Sequence, residues 1–113
     1  MELQTQELEN GILSVGLVGR LDHIAAQEID LKLTVLTSRQ RPVLVDLSQL
    51  TFIASIGIRT LVSSAKAQQR RGGSMVLYQP IDLVEEVLRT AGIDTIIPIA
   101  HDMESAHRVL LPS

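Results

Sequence analysis

The sequence predicts an α/β fold in one domain, residues 1–113: a mixed sheet that opens with a hairpin and is packed by about four helices. Three observations carry this. Asn10-Gly11 separates two short strand-like runs, and both residue types tolerate the positive φ of a tight hairpin turn. Val43 to Leu47 is a continuous apolar run broken only by Asp46, the pattern of a strand covered on both faces. From there on, helix-period and strand-like segments alternate, as crossovers between parallel strands require.

Taken in order, Leu3 to Leu8 reads as a short edge strand. Ile12 to Val18, punctuated by Gly16 and Gly19, is its hairpin partner. Asp22 is placed to cap a helix whose apolar positions Ala26, Ile29, Leu33 and Leu36 recur at helical spacing, and Arg39 to Pro42 closes that element. After the strand at Val43 to Leu47, Ser55 is expected to cap a second helix. Its inward side carries Ile58, Leu61, Val62 and Ala65, and its outward side Arg59, Ser63, Lys66 and Arg70. Leu50, Phe52 and Ile53 anchor the loop-length connection before it.

Gly72-Gly73 stops this helix, and Met75 to Tyr78 is the next strand, completing a right-handed crossover with parallel strands. Pro80 to Ala91 is a third helix, with Asp82 and Glu85 spaced as a capping box, Val84, Val87, Leu88 and Ala91 facing inward, and Gly92 at its end. Ile96 to Ile99, interrupted by Pro98, is a short edge strand. Asp102 to Leu110 is the last helix, inward at Met103, Ala106 and Leu110.

Composition bounds the function. A chain of 113 residues buries about two-thirds of its unfolded surface. Its core must be aliphatic, because Phe52 and Tyr78 are the only aromatic residues. The net charge of -3, with no basic block beyond Arg70-Arg71, argues against a nucleic-acid partner. Cysteine is absent, which excludes disulfides and thiol chemistry. The opening MELQTQELEN has no apolar signal-peptide core, and the longest charge-free run, Leu47 to Ile58, spans 12 residues where a membrane helix needs about 20. The expectation is a soluble, cytoplasmic protein.

The residue with chemical potential is Ser55, beside Gly57 at the start of a helix, where a serine can be a cap, a nucleophile or a phosphate acceptor. The hydrolase elbow G-x-S-x-G lacks its first glycine in Ile53-Ala54-Ser55-Ile56-Gly57, and His101-Asp102 offers a triad only by adjacency in sequence. His23, His101 and His107 lack metal-ligand spacing, no phosphate-binding loop motif occurs, and no cofactor is expected. As an N-cap, the Ser55 hydroxyl would accept from the amide of Gly57 or Ile58 and contribute about 1 kcal/mol.

The segment Asp46-Leu47-Ser48-x-Leu50-x-Phe52-Ile53-Ala54-Ser55-x-Gly57-Ile58 resembles the signature of the STAS domain, the module of sulfate transporters and bacterial anti-sigma factor antagonists. Gly19-Arg20-Leu21-Asp22-His23 is similar to the family's G-x-L-D segment, and the order of elements agrees over almost the entire chain.

The resemblance implies partner switching. An unmodified antagonist binds an anti-sigma factor that is also a serine kinase, is phosphorylated by it, and is restored by a serine phosphatase. Carried onto this sequence, the phosphoacceptor is Ser55, and the contact face comprises Asp22, His23, Ala54, Ser55, Ile56, Gly57 and Arg59. Many members carry Asp-Ser-Ser-Gly where this chain has Ala54-Ser55-Ile56-Gly57, so the preceding carboxylate and the second hydroxyl are missing. The alternative implied by Ala54 and Ile56 is a non-switching STAS scaffold or transport-complex subunit. Exposed edges at Leu3 to Leu8 and Ile96 to Ile99 leave dimerisation open.

Overall fold

The computed structural model describes residues 1–38 and 40–111. Among these, six strands and four α-helices follow one another as β1 (Glu2–Glu7), β2 (Leu13–Leu21), α1 (His23–Leu36), β3 (Pro42–Asp46), β4 (Leu50–Ile53), α2 (Ser55–Arg70), β5 (Ser74–Tyr78), α3 (Asp82–Thr90), β6 (Ile99–Ala100) and α4 (Met103–Leu110). The expected mixed sheet with an opening hairpin is what forms. Of the segment expected to close α1, Arg39 lies outside the described residues, while Pro42 already begins β3.

The hairpin forms because Asn10 and Gly11 take φ of 63° and 76°, which turns the chain through a short 3-10 segment and aligns β1 antiparallel to β2 with Glu7 opposite Leu13. The sheet then runs β1-β2-β3-β5-β6, and every neighbour pair after the first is parallel.

Strand alternation decides which helix covers which face. Leu13, Val15 and Leu17 of β2, Val43 and Val45 of β3, and Met75 and Leu77 of β5 share one face, packed with residues of α1, α2 and α3. Leu44 and Val76 point the other way, to Ala106 and Leu110 of α4. On that second face β1 and β2 present Glu2, Gln4, Gln6 and Ser14, so their hairpin needs no cover.

Several expectations are corrected, among them the inward placement of Ala91 and Met103, both of which are exposed. The connection after β3 is not a loop: Leu50 to Ile53 form a strand of their own, parallel to the end of β2, with Leu50 and Ile53 buried. One residue of β4, Thr51, bulges between the Gly19–Leu50 and Arg20–Phe52 pairs and donates its hydroxyl to the Gly19 carbonyl at 3.1 Å.

The last strand starts after Pro98 rather than across it. Residues Ile93–Thr95 make a 3-10 turn, and only Ile99 and Ala100 pair with β5. Proline has no N–H to give a ladder, so the pairing begins beyond it.

The capping box at α3 does not form. Ile81 occupies the cap position, Asp82 is already helical, and Glu85 turns to Arg89 and His101 instead.

Ser55 likewise is not a cap. Ala54 holds the cap conformation (φ -92°, ψ 164°), and no side chain caps α2.

The inward face of α2 is also more polar than apolar spacing suggests. Thr60, Ser64 and Gln68 are buried with Leu61 and Ala65, whereas Ile58 and Val62 are only half-buried. Thr60 donates its hydroxyl to the Ile56 carbonyl (3.1 Å) and Gln68 its amide N–H to the Arg41 carbonyl (2.6 Å), while the Gln68 Oε1 is buried with no partner among the described residues.

Candidate functional site

Because β2, β3, β4, β5 and β6 are mutually parallel, the helices that follow β2, β4, β5 and β6 all begin at one end of the sheet. That end is where α/β folds present their binding residues. Leu21 pairs with Ile53, so Asp22 and Ala54 leave the sheet side by side, one opening α1 and the other α2.

Two hydrogen bonds lock this exit. The Ala54 amide donates to the Leu21 carbonyl at 2.9 Å, and the Ala54 carbonyl accepts from the Ile58 amide at 3.1 Å. Ser55, caught between them, is the exposed first residue of α2, and its hydroxyl is not spent on capping.

Gly57 explains how the helix comes so close. A Cβ there would lie 2.6 Å from Leu21 Cγ and 3.1 Å from the Leu21 carbonyl oxygen, so a side chain would push α2 off the end of β2. The glycine is a packing requirement, and it is buried.

The segment before β4 is fixed in the same manner. The Asp46 carboxylate accepts from the Ser48 amide at 2.9 Å, closing a turn that sends Leu47 and Leu50 into the core.

Around Ser55 the sequence-derived residues fall into two groups. Asp22 accepts from the Ala25 amide at 2.9 Å and caps α1 as expected, with His23 exposed beside it. The Ala25 amide holds the Asp22 carboxyl below its ordinary pKa, against a smaller opposing effect of burial and with a further contribution from the His23 charge.

On the α2 side, Ile56 is half-buried and Arg59 exposed. With Gln27, Asp30 and Ser63 they line a shallow groove of about 270 Å³ between α1 and α2. Arg20 was not foreseen. Its guanidinium stacks over Phe52, 4.3 Å from the ring centroid, and puts a positive charge beside the exit of β2. The signal was present in sequence, since Arg20 and Phe52 precede Asp22 and Ala54 by the same spacing, but only the parallel pairing of β4 makes it visible.

The groups offered for other chemistry are engaged elsewhere. His101 Nε2 lies 2.7 Å from Glu85 Oε1, and Glu85 also meets Arg89 at 2.8 Å. The His101 contact, more than Arg89, holds Glu85 below the usual carboxylate range, with burial opposing. Asp102 caps α4, accepting from the Ser105 amide at 2.7 Å, and that amide lowers its pKa. Among the described residues no cluster of His, Asp and Glu suits a metal ion, and no helix is long and apolar enough to cross a membrane.

A mixed α/β sheet with a serine presented at a helix start beside a glycine-tight exit defines a class of fold, and comparison with known proteins gives the family. A family model of the STAS domain matches residues 4–106, and the chain belongs to that family. It is 29% identical over 103 residues to a Bordetella bronchiseptica protein named as an anti-sigma factor antagonist, BtrV, covering 90% of this chain and 89% of the relative. Its fold is similar to the anti-sigma factor antagonist SpoIIAA in its unphosphorylated form (TM-score 0.75, 20% identity, 96% of each chain). The phosphorylated form of the Bacillus cell fate determinant SpoIIAA also matches (TM-score 0.68, 19% identity, 96% of this chain and 99% of that one).

Proposed function

We propose that this protein is an anti-sigma factor antagonist. It binds an anti-sigma factor that is a serine kinase, phosphorylation of Ser55 ends that binding, and a serine phosphatase restores it, all in the cytoplasm. One observation carries the reading: Ser55 is exposed at the first position of α2, on a rigid exit from the sheet, with its hydroxyl unused for capping. A kinase needs such an accessible hydroxyl, and the fold loses nothing when it is modified. No enzymatic role is assigned to the chain.

The electrostatics support a switch in the interface rather than in folding. Phosphoserine brings about -1.5 to -2 charges. The first N–H groups of α2 have no intrahelical acceptor and favour an anion. Arg59 follows one turn later on an exposed face. A partner seated over Ala54, Ser55 and Ile56 meets that charge and bulk desolvated, which costs several kcal/mol on the scale of about 2–5 for an unpaired buried charge. Asp22 and His23 flank the contact, Arg59 borders it, and Gly57 serves it from below by holding α2 against Leu21.

Incubation with a cognate kinase and ATP, followed by peptide mass spectrometry, is expected to place one phosphate on Ser55. Phosphate only elsewhere, or none, overturns the switch.

The second reading, a non-switching STAS scaffold or transport-complex subunit, draws on Ala54 and Ile56, both half-buried and apolar, which give the rim less polarity than a phosphosite needs. Co-purification with transport-complex subunits and no kinase would favour it.

A further inference from the structure

The outer flank of α1 is apolar and faces solvent. Ile24, Leu31 and Val35 are 56, 73 and 62% exposed, and with Glu28 they recur at spacings of four, three and four residues, the heptad rhythm of a helix–helix seam. This flank borders β1, not α2: Leu31 and Val35 line a groove of about 720 Å³ with Met1 and Leu3, while Gln27 and Asp30 border α2. The exposure therefore lies apart from the Ser55 rim.

We propose that the occupant of this stripe is a second copy of the same chain, with the two α1 helices packed antiparallel about a twofold axis. The stripe is self-complementary in that arrangement. Ile24 meets Val35 of the second copy, and Leu31 lies along the methylenes of the second copy's Glu28. Lys32, exposed and one residue past Leu31, faces that same Glu28 carboxylate. Two symmetric ion pairs then flank four apolar contacts. Among the described residues of the single chain Glu28 pairs only with the amino group of Met1, at 3.8 Å, and its side chain is 55% exposed.

The sheet edges are poor routes to self-association. Full-length antiparallel pairing of β1 with its own copy sets Glu2 against Glu7 at both ends, and β6 has two residues behind Pro98. A symmetric interface must be complementary to itself, and α1 meets that condition where β1 does not.

Sedimentation equilibrium of the full chain across micromolar to millimolar concentrations is the test. The apparent mass is expected to rise toward twice that of the monomer. Leu31→Glu should weaken dimerisation at least tenfold, Lys32→Glu should weaken it less, and Glu28→Lys combined with Lys32→Glu should restore it. Thermal midpoints recorded at a concentration where each protein is monomeric should agree, since all three side chains are exposed. A monomer at every concentration, a dimer indifferent to Leu31→Glu, or failure of the reversed pair to recover what Lys32→Glu loses overturns the proposal.

Discussion

Two residues three positions apart, Ala54 and Gly57, set the geometry of the candidate site, and Ser55 between them is free of structural duty. Ser55→Ala should therefore leave urea unfolding within about 0.5 kcal/mol of the parent, as surface changes do. Ser55→Asp should leave the thermal midpoint equally unmoved while weakening capture of the proposed anti-sigma factor partner, measured by calorimetry. A large loss of stability in either variant would assign the hydroxyl a structural role. Gly57→Ala should behave oppositely. Its Cβ meets the buried Leu21 side chain, and overpacking of this kind costs about 1–3 kcal/mol, more than the helix propensity of alanine returns. Urea titration checks the stability, and phosphorylation rate at Ser55 checks whether the displaced helix start still presents the serine.

At the scale of elements, helix starts are where the sequence was legible and where it misled. Asp22 was readable as a cap because it stands just before a helical period, and it accepts the Ala25 amide, whereas Asp102, read as the first residue of the last helix, is its cap instead. Ser55 looked like a cap by the same rule. The turn is instead set one residue earlier, because the Ala54 amide is bonded to Leu21 and its carbonyl starts the helix. Strand β4 was hidden because its partner, the end of β2, is about thirty residues away in sequence and the pairing carries a bulge at Thr51. No local pattern encodes such a pairing. The buried polar face of α2 was hidden too, since the Gln68 amide N–H finds its acceptor at Arg41, which sequence spacing places nowhere near it.

The caps also make a pH prediction. Asp22, Asp102 and Glu85 all have folded pKa values below their ordinary ones, so their ionisation favours the fold above the unfolded value of about 4. That contribution disappears as pH falls through the folded values. Thermal midpoints should be flat with respect to these groups above about pH 5 and decline below about pH 4. Asp22→Asn with Asp102→Asn, which keeps both caps but removes two titrations, should show a shallower acid decline.

For the whole molecule, the two faces of the sheet are unequal. One is covered by α1, α2 and α3, and the other relies on α4 through Ala106 and Leu110 against Ile12, Leu44 and Val76. Leu110 is 2% exposed, and Leu110→Ala should cost about 2–5 kcal/mol in urea unfolding. Against a total of about 5–15 kcal/mol for a domain, that single change removes much of the margin. The hinge of this architecture was readable in outline, from the hairpin turn at Asn10-Gly11 to the aliphatic strands. The division of labour between faces was not, because it depends on strand order.

The bond from the Ala54 amide to the Leu21 carbonyl has a further consequence for isotope exchange. That amide is held against a fully buried residue, while the next one, Ser55, opens a helix and has no intrahelical acceptor. Two consecutive backbone protons should thus exchange with deuterated water on very different timescales, Ala54 slowly and Ser55 fast. The step between them gives an internal clock at the site itself. Loosening of the strand end quickens Ala54, whereas a ligand lying over the helix start slows Ser55 alone.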